Sequence, residues 1–359
     1  MIFFGLFIFI CDNFAILRDT SMKTKKILFT ILFLFVTTFR PDMLLGAFSP
    51  SVDVVYTWVD DQDPAWQQVY NRTKIEYGLA STPDSKVKSR FRSRDELRFS
   101  MRSLHAFAPF VHHIYIVTFG QTPSWLKSHK KVTVVHHKEI FKDPGHLPTF
   151  NSQAIESQLH RIPGLKEHFI YFNDDVFLGR KVSWSDFYTK HDKIKVLYEK
   201  EISPSGPVLP TDIAFVASWK NANRLLDAQF GYKARKVLCH APFALKKSHL
   251  QKLEAKYPAI FSQVASHKFR SPEDFVITCG LVQNYAKHLG SAKKGTLTNV
   301  TIPFLDDLEA NRKKLKMLFD KKPHTFCIED IANTENAAAD YQLTQFLNTY
   351  FPQKAPWEK

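Results

Sequence analysis

Hydrophobic residues fall in two alternating rhythms along this chain. Residues 52–58 are β-branched and aromatic apart from Asp53 and then break into Val59-Asp60-Asp61, which predicts a buried first strand running into a loop. Residues 114–118, 132–136 and 169–172 repeat that short apolar pattern and predict three more strands. Between them the spacing changes. Leu97, Met101, Leu104 and Phe107 recur every three or four residues, so 95–108 reads as an amphipathic helix that Pro109 stops. Residues 66–77 are also helical in pattern, and 151–160 reads as a helix capped by Asn151 or Ser152. Strands alternating with helices imply βαβ units, a mainly parallel sheet and an α/β fold class. Past Leu178 the pattern weakens. Residues 181–212 are rich in charge, Pro and Ser and read as an insertion or mobile loop over the site. Helical periodicity returns at 246–261, 272–288, 306–319 and 336–350.

The fourth strand carries the chemistry that stands out most. Tyr171-Phe-Asn-Asp-Asp-Val-Phe-Leu places Asn173, Asp174 and Asp175 at its carboxyl end. Bare charge inside an apolar strand costs several kcal/mol unless something compensates it. A cleft holding a divalent cation or a phosphate-bearing donor would do so; a solvated Asn-Asp-Asp turn is the plainer alternative.

Composition narrows the partners. The 359 residues suffice for one large α/β domain or two modest ones, and a hydrophobic fraction of 44% excludes a disordered chain. The net charge of +14 suits a polyanionic partner. Zinc-finger spacing, a homeodomain-like helix and RNP aromatics are all missing, which sets nucleic acid aside. The four cysteines, Cys11, Cys239, Cys279 and Cys327, are too scattered for a disulfide framework or a zinc cluster and read as buried thiols. Residues 1–48 hold two apolar stretches, the second behind Lys23, Lys25 and Lys26, as in a signal or membrane anchor. The body, 49–335, then reads as the catalytic domain, with a C-terminal helix and tail at 336–359.

Three further groups carry candidate chemistry. Asp60 sits just past the first strand, where open α/β sheets bind nucleotides, although it would serve equally as a helix cap. Arg90 begins a basic run in which Arg94, Arg98 and Arg102 follow at i, i+4 and i+8, and such a face either clamps a diphosphate or is simply solvated. His240, held extended before Ala-Pro, is suited to take a proton near neutral pH. Asn151, Ser152 and Glu156 offer donors and acceptors near a helix start.

Taken in order, these segments closely resemble the Stealth family of sugar-phosphate transferases across roughly 52–330. The resemblance rests on Tyr56-Thr-Trp-Val-Asp, Glu96-Leu-Arg-Phe-Ser-Met-Arg-Ser, Ile116-Val-Thr-Phe-Gly-Gln-Thr-Pro-Ser-Trp-Leu and Leu147-Pro-Thr-Phe through Asn173-Asp-Asp. It extends through His240-Ala-Pro to Phe269-Arg-Ser and on to Phe326-Cys-Ile-Glu-Asp, where family members commonly have Asn in place of Glu329. It implies a Rossmann-like, GT-A-type core. The implied reaction moves a sugar-1-phosphate from a nucleotide-sugar, a UDP-sugar first, to a glycan or polysaccharide hydroxyl with release of a nucleoside monophosphate. It further implies Asp60, Asp175, His240 and Arg270 as catalytic, and Asp60, Arg90, Arg98, Arg102, Asn151 and Asn173 as donor-binding. Asp174 and Asp175 would hold Mg²⁺ or Mn²⁺. A GT-A-type glycosyltransferase and a non-catalytic carbohydrate-binding protein are the competing readings. Location is expected to be membrane-associated, with the catalytic part cytosolic in a bacterium and in a Golgi-type lumen in a eukaryote.

Overall fold

Strand β1 (Val52–Thr57) lies at the centre of a five-stranded sheet, because its residues up to Tyr56 are buried on both faces. The computed structural model describes residues 50–78, 91–331 and 336–359. The apolar leader and Arg90 therefore lie outside the described residues. Among those described, no helix is long and apolar enough to cross a membrane.

The sheet order is β3 (Val132–His136), β2 (Val111–Thr118), β1, β4 (His168–Asn173) and β9 (Phe243–Lys246). The first four run parallel, as alternating strands and helices require, and only β9 is antiparallel. Tyr56, Phe169, Tyr171 and Phe172 are essentially inaccessible, each contributing roughly 1.5–3 kcal/mol of apolar burial.

Register explains where a site can form. Thr57 pairs with Asn173 on one side and Val117 on the other, so the carboxyl ends of β1, β2 and β4 finish level. Because β9 is antiparallel, with Phe243 opposite Tyr171, it enters the sheet at that same edge, and His240 stands three residues before it. A second sheet, β11 (Asn299–Phe304), β12 (Thr325–Asp330) and β5 (Val176–Leu178), grows directly out of the Asp174-Asp175 turn. Cys327 pairs with Val176 there.

Helix α1 (Pro64–Glu76) starts at the Asp63 cap, and α2 (Glu96–Phe107) packs along β5. The α2 hydroxyls make that seam: Ser103 Oγ accepts from the Leu178 amide at 3.0 Å, and Ser100 Oγ meets the Tyr56 hydroxyl at 2.9 Å.

Three expectations change. The stretch 181–212 is neither an insertion over the site nor a loose loop. It holds a short helix (Trp184–Phe187) and two strands, β6 (Ile194–Val196) and β7 (Tyr198–Ile202), paired to β10 (Ala292–Lys294) and β8 (Lys236–Leu238). The buried Tyr188 fastens it by donating to the Phe169 carbonyl at 2.7 Å. The expected 246–261 helix is two, Lys247–Lys256 and Pro258–Ser266, because Pro258 restarts the chain. Residues 336–359 are not an appended tail. Helix Ala337–Tyr350 and the residues after it pack into the same unit, which spans 51–359, with Leu343, Leu347, Phe351 and Trp357 buried.

Candidate functional site

A cavity of about 410 Å³ opens at the level carboxyl edge of the main sheet. One wall is aromatic: Trp58 after β1, Trp66 on α1, Phe119 after β2, and Phe150. The other is charged: Glu96 at the start of α2, Asn173, Asp174 and Asp175 at the end of β4, His240, Arg270, and Glu329 and Asp330 on β12. The size suits a small-molecule ligand with an apolar and a polar end.

The charged wall is a connected set. Asn173 Nδ2 meets His240 Nε2 at 2.8 Å, and that same nitrogen lies 3.7 Å from Asp175 Oδ1. With the amide donating, the imidazole proton sits on Nδ1. That atom faces Cys327 Sγ at 3.6 Å, while Sγ lies 3.3 Å from Asp175 Oδ2. Asp175 Oδ1 is buried without any hydrogen-bond partner. A buried carboxylate oxygen without a hydrogen bond carries a desolvation penalty of ~1–3 kcal/mol, offset in part here by the imidazole 3.7 Å away. Across the cavity Arg270 donates to Ser152 Oγ at 3.2 Å and has no carboxylate within ion-pair distance among the described residues.

Burial, then the Asp175 and Glu96 carboxylates, raise the Asp174 carboxyl well above its ordinary range. Burial pushes Glu96 up to about 7, with the Arg94 amide opposing and Asp175 adding to the rise. Burial also holds His137 down at about 3, so its imidazole lines the cavity in the neutral form.

Sequence expectations sort clearly against this geometry. Asn173, Asp174, Asp175, His240 and Arg270 are brought together. Asp60 is next to the cavity but does not line it: its carboxylate accepts from the Gln62 amide and its own amide donates to Gln121 Oε1. Arg98 and Arg102 do not clamp a ligand. Both guanidiniums turn to Glu358, at 2.8 Å each, and Arg102 also donates to the Phe351 carbonyl, tying α2 to the chain's last residues. Arg94 pairs with Asp330 and Asp340. Asn151 is fully buried, caps the helix Ser152–Glu156 and donates to Asp274 Oδ2 at 2.9 Å, so it shapes the loop without reaching the cavity.

Asp174 and Asp175, the expected metal ligands, both line the cavity. Mg²⁺ and Mn²⁺ call for oxygen-rich shells. The donors that converge, all within 4.8 Å of one another, are Asp175, His240 and Cys327, and Asp174 is outside that group. One oxygen, one nitrogen and one sulfur do not by themselves make a magnesium cage, but Glu96, Asp174, Glu329 and Asp330 add carboxylate oxygens to the same cavity wall. Cys327 is a fully buried free thiol, as the scattered cysteines implied, and the pairing of β5 with β12 brings it against Asp175, 152 residues away in sequence, to whose Oδ2 it donates at 3.3 Å.

The chain contains the three Stealth conserved regions in order: region 1 at 50–78, region 2 at 90–196 and region 3 at 239–286. It is 40% identical to an exopolysaccharide phosphotransferase of Streptomyces coelicolor over 86% of its own length and 52% of that protein. Identity to the exopolysaccharide phosphotransferase CpsY of Mycobacterium tuberculosis is 33%, over 88% of this chain and 60% of that one. For the capsular polysaccharide phosphotransferase SacB of Neisseria meningitidis serogroup A it is 33%, over 86% and 57%. The chain thus spans between half and three-fifths of these relatives. Among solved structures, the galactosyltransferase LgtC is similar at a TM-score of 0.40 and 9% identity, over 83% of this chain and 95% of LgtC. Three conserved regions in family order, with most of the cavity wall inside them, lead to one conclusion: the chain belongs to the Stealth family.

Proposed function

We propose that this chain transfers a sugar-1-phosphate from a nucleotide-sugar, a UDP-sugar first, to a polysaccharide hydroxyl. The observation that carries the reading is the Asn173–His240–Asp175 set facing Arg270, which forms no ion pair within 4.0 Å among the described residues, across one cavity. A planar guanidinium without a carboxylate partner is suited to hold a phosphate in two parallel hydrogen bonds. The aromatic wall offers flat faces to a base or sugar. His240 takes the proton of the acceptor hydroxyl at Nε2 once that hydroxyl replaces the Asn173 amide, and Asp175 stabilises the imidazolium that results. The acceptor oxygen forms a bond to phosphorus, the bond from phosphorus to the nucleotide oxygen breaks, and a nucleoside monophosphate leaves. The protein's part is positioning and charge neutralisation.

The names of the Streptomyces, Mycobacterium and Neisseria relatives support this reaction class. Attachment to a membrane through the apolar residues 27–39 belongs to the same proposal and is supported by the preceding lysines. Its catalytic part would be cytosolic in a bacterial host and luminal in a eukaryotic one, which protease protection of sealed vesicles would decide. The central test is a panel of nucleotide-sugars incubated with polysaccharide acceptors and divalent cations, with mass identification of the released nucleotide. A monophosphate is the expected product. A diphosphate would instead mean glycosyl transfer, and binding without turnover would mean a carbohydrate-binding protein.

A further inference from the structure

We infer that a second groove, of about 850 Å³, is a subsite for the phosphodiester-bearing part of the saccharide chain that the enzyme extends. The identity of this occupant rests on the reaction proposed above. The groove lies between residues 142–146, the turn from Gln158 to Arg161 and the helices Lys247–Lys256 and Pro258–Ser266. It shares no lining residue with the catalytic cavity. Its volume falls within the ~300–1,000 Å³ of small-molecule sites. Lys142, His146, His160, Arg161 and Lys247 line it against two acids, Asp143 and Glu254.

Both acids are already engaged inside the protein. Glu254 meets His160 Nε2 at 2.7 Å and Arg161 at 2.6 Å, and these partners hold its carboxyl down at about 2. Asp143 accepts from the Gly145 amide at 2.8 Å and lies 3.5 Å from His146 Nε2. Lys142 and Lys247 form no ion pair among the described residues. The lining is therefore net positive, which attracts an anion and resists a metal cation. A phosphodiester carries a single charge per repeat, which suits two separate ammonium groups. Gln251 and Ser262, exposed on the groove, offer amide and hydroxyl groups to sugar hydroxyls.

One stretch of chain joins the groove to the catalytic cavity. Residues 142–146 line the groove, and Thr149, Phe150 and Ser152 just beyond them line the cavity. Lys268 fastens that stretch, its Nζ donating to the Gly145 carbonyl at 2.9 Å and its carbonyl accepting from the Phe150 amide at 2.7 Å. Arg270 follows two residues later. A saccharide whose acceptor hydroxyl sits at His240 thus has a second, cationic surface one loop away.

The test is a binding measurement with no donor present, so it needs no turnover. The full-length chain is titrated with a short hexosamine oligomer joined by phosphodiesters, with a neutral oligomer of the same sugar and length, and with inorganic phosphate. The phosphodiester oligomer should bind more tightly than either, with an affinity that falls as salt rises. Lys142→Ala combined with Lys247→Ala should weaken that binding by ~10-fold or more and raise KM for long acceptors. Transfer to a single-sugar acceptor should stay within ~2-fold of wild type in the same variant, and Lys142→Arg with Lys247→Arg should restore oligomer binding. Equal binding of the neutral oligomer or of inorganic phosphate would overturn the subsite, as would an unchanged affinity in the alanine variant. Lysine-dependent capture by phosphatidylglycerol vesicles, with no binding of the oligomer, would assign the lysines to a lipid surface and also overturn it. Lysine-dependent oligomer binding in a chain that transfers to no acceptor would refute the reaction and leave the groove standing.

Discussion

Two charged regions meet on α2 and are built on opposite principles. Along and just before the helix every arginine of the run from 94 has a counter-ion: Arg94, ahead of the first turn, with Asp330 and Asp340, and Arg98 and the buried Arg102 with Glu358. At the helix's first residue the reverse holds. Glu96, Asp174 and Asp175 crowd one cavity wall, and burial and mutual repulsion raise the first two. Paired charges hold the C-terminal residues in place. Crowded, buried carboxyls instead hold their protons more tightly than free ones, and such perturbed groups gather where ligands bind.

The sharpest way to break this contrast is to neutralise one side of the cavity. Asp175→Asn and His240→Ala should each cut turnover by ~10²–10⁴-fold, the range for loss of a positioned acid–base group, with the far-ultraviolet circular dichroism unchanged. Near-normal turnover in Asp175→Asn would mean that an uncompensated carboxylate does not mark function here.

Glu358→Ala tests the other side. The Glu358 side chain is fully buried and Arg102 nearly so, and removing the acid strands a guanidinium inside the protein. Breaking a buried pair this way costs ~3–5 kcal/mol, which urea unfolding should register, while donor affinity stays at the wild-type value wherever the variant is folded. A loss below ~1 kcal/mol would place this pair with ordinary surface bridges.

These two regions also show what could be read in advance. The strand ends were legible because β-branched and aromatic runs break abruptly into polar residues, as at Thr57 and Asn173. Asp175 stood out as a carboxylate just past such a break, and His240 as an imidazole held extended before Ala-Pro, and the structure brings both to one cavity. The arginine face was misread because spacing along a helix gives its direction and not its partner, and Glu358 lies 256 residues from Arg102. Helix Ala214–Phe230 was not anticipated, because its buried face includes Ser218, Asn221 and Asn223, which are satisfied by tertiary contacts such as Asn223 to Ser203 at 2.9 Å. The stretch 181–212 was mistaken for a loop because its strands are too short to show a period and pair with segments far along the chain.

A pH titration sharpens the cavity side. Burial lifts Glu96 from an ordinary 4.5 to about 7, so between these values the folded protein keeps a proton that the unfolded chain has released. Its stabilising share is therefore whole below about pH 4.5 and is lost as pH rises through about 7, up to ~3 kcal/mol for one group. In chelator-stripped protein, denaturant midpoints should fall over this window. Glu96→Gln, which cannot ionise, should flatten the fall. An equal slope in the variant would assign the titration to Asp174 or to other groups.

The smallest expected effect separates two arginines that look alike in sequence. Arg270→Lys keeps the positive charge but removes the planar fork, and a guanidinium that meets only Ser152 Oγ has its remaining donors available to a phosphate. A point charge on a flexible stem recovers only part of that binding, so donor KM should rise ~10-fold with a smaller change in kcat. Arg98→Lys keeps charge too, but its partners are Glu358 at 2.8 Å and Asp95 at 3.6 Å, both on the side chain's own paired network. A quarter-exposed pair of this kind is worth ~1 kcal/mol or less, so the substitution should lower the unfolding midpoint slightly and leave donor KM within ~2-fold of wild type. If the donor dependence of both variants moves together, the arginine face takes part in binding and the division between paired and uncompensated charge fails. If only Arg270→Lys moves it, Arg270 is the phosphate contact, and Arg98 works solely to hold the C-terminal residues against α2.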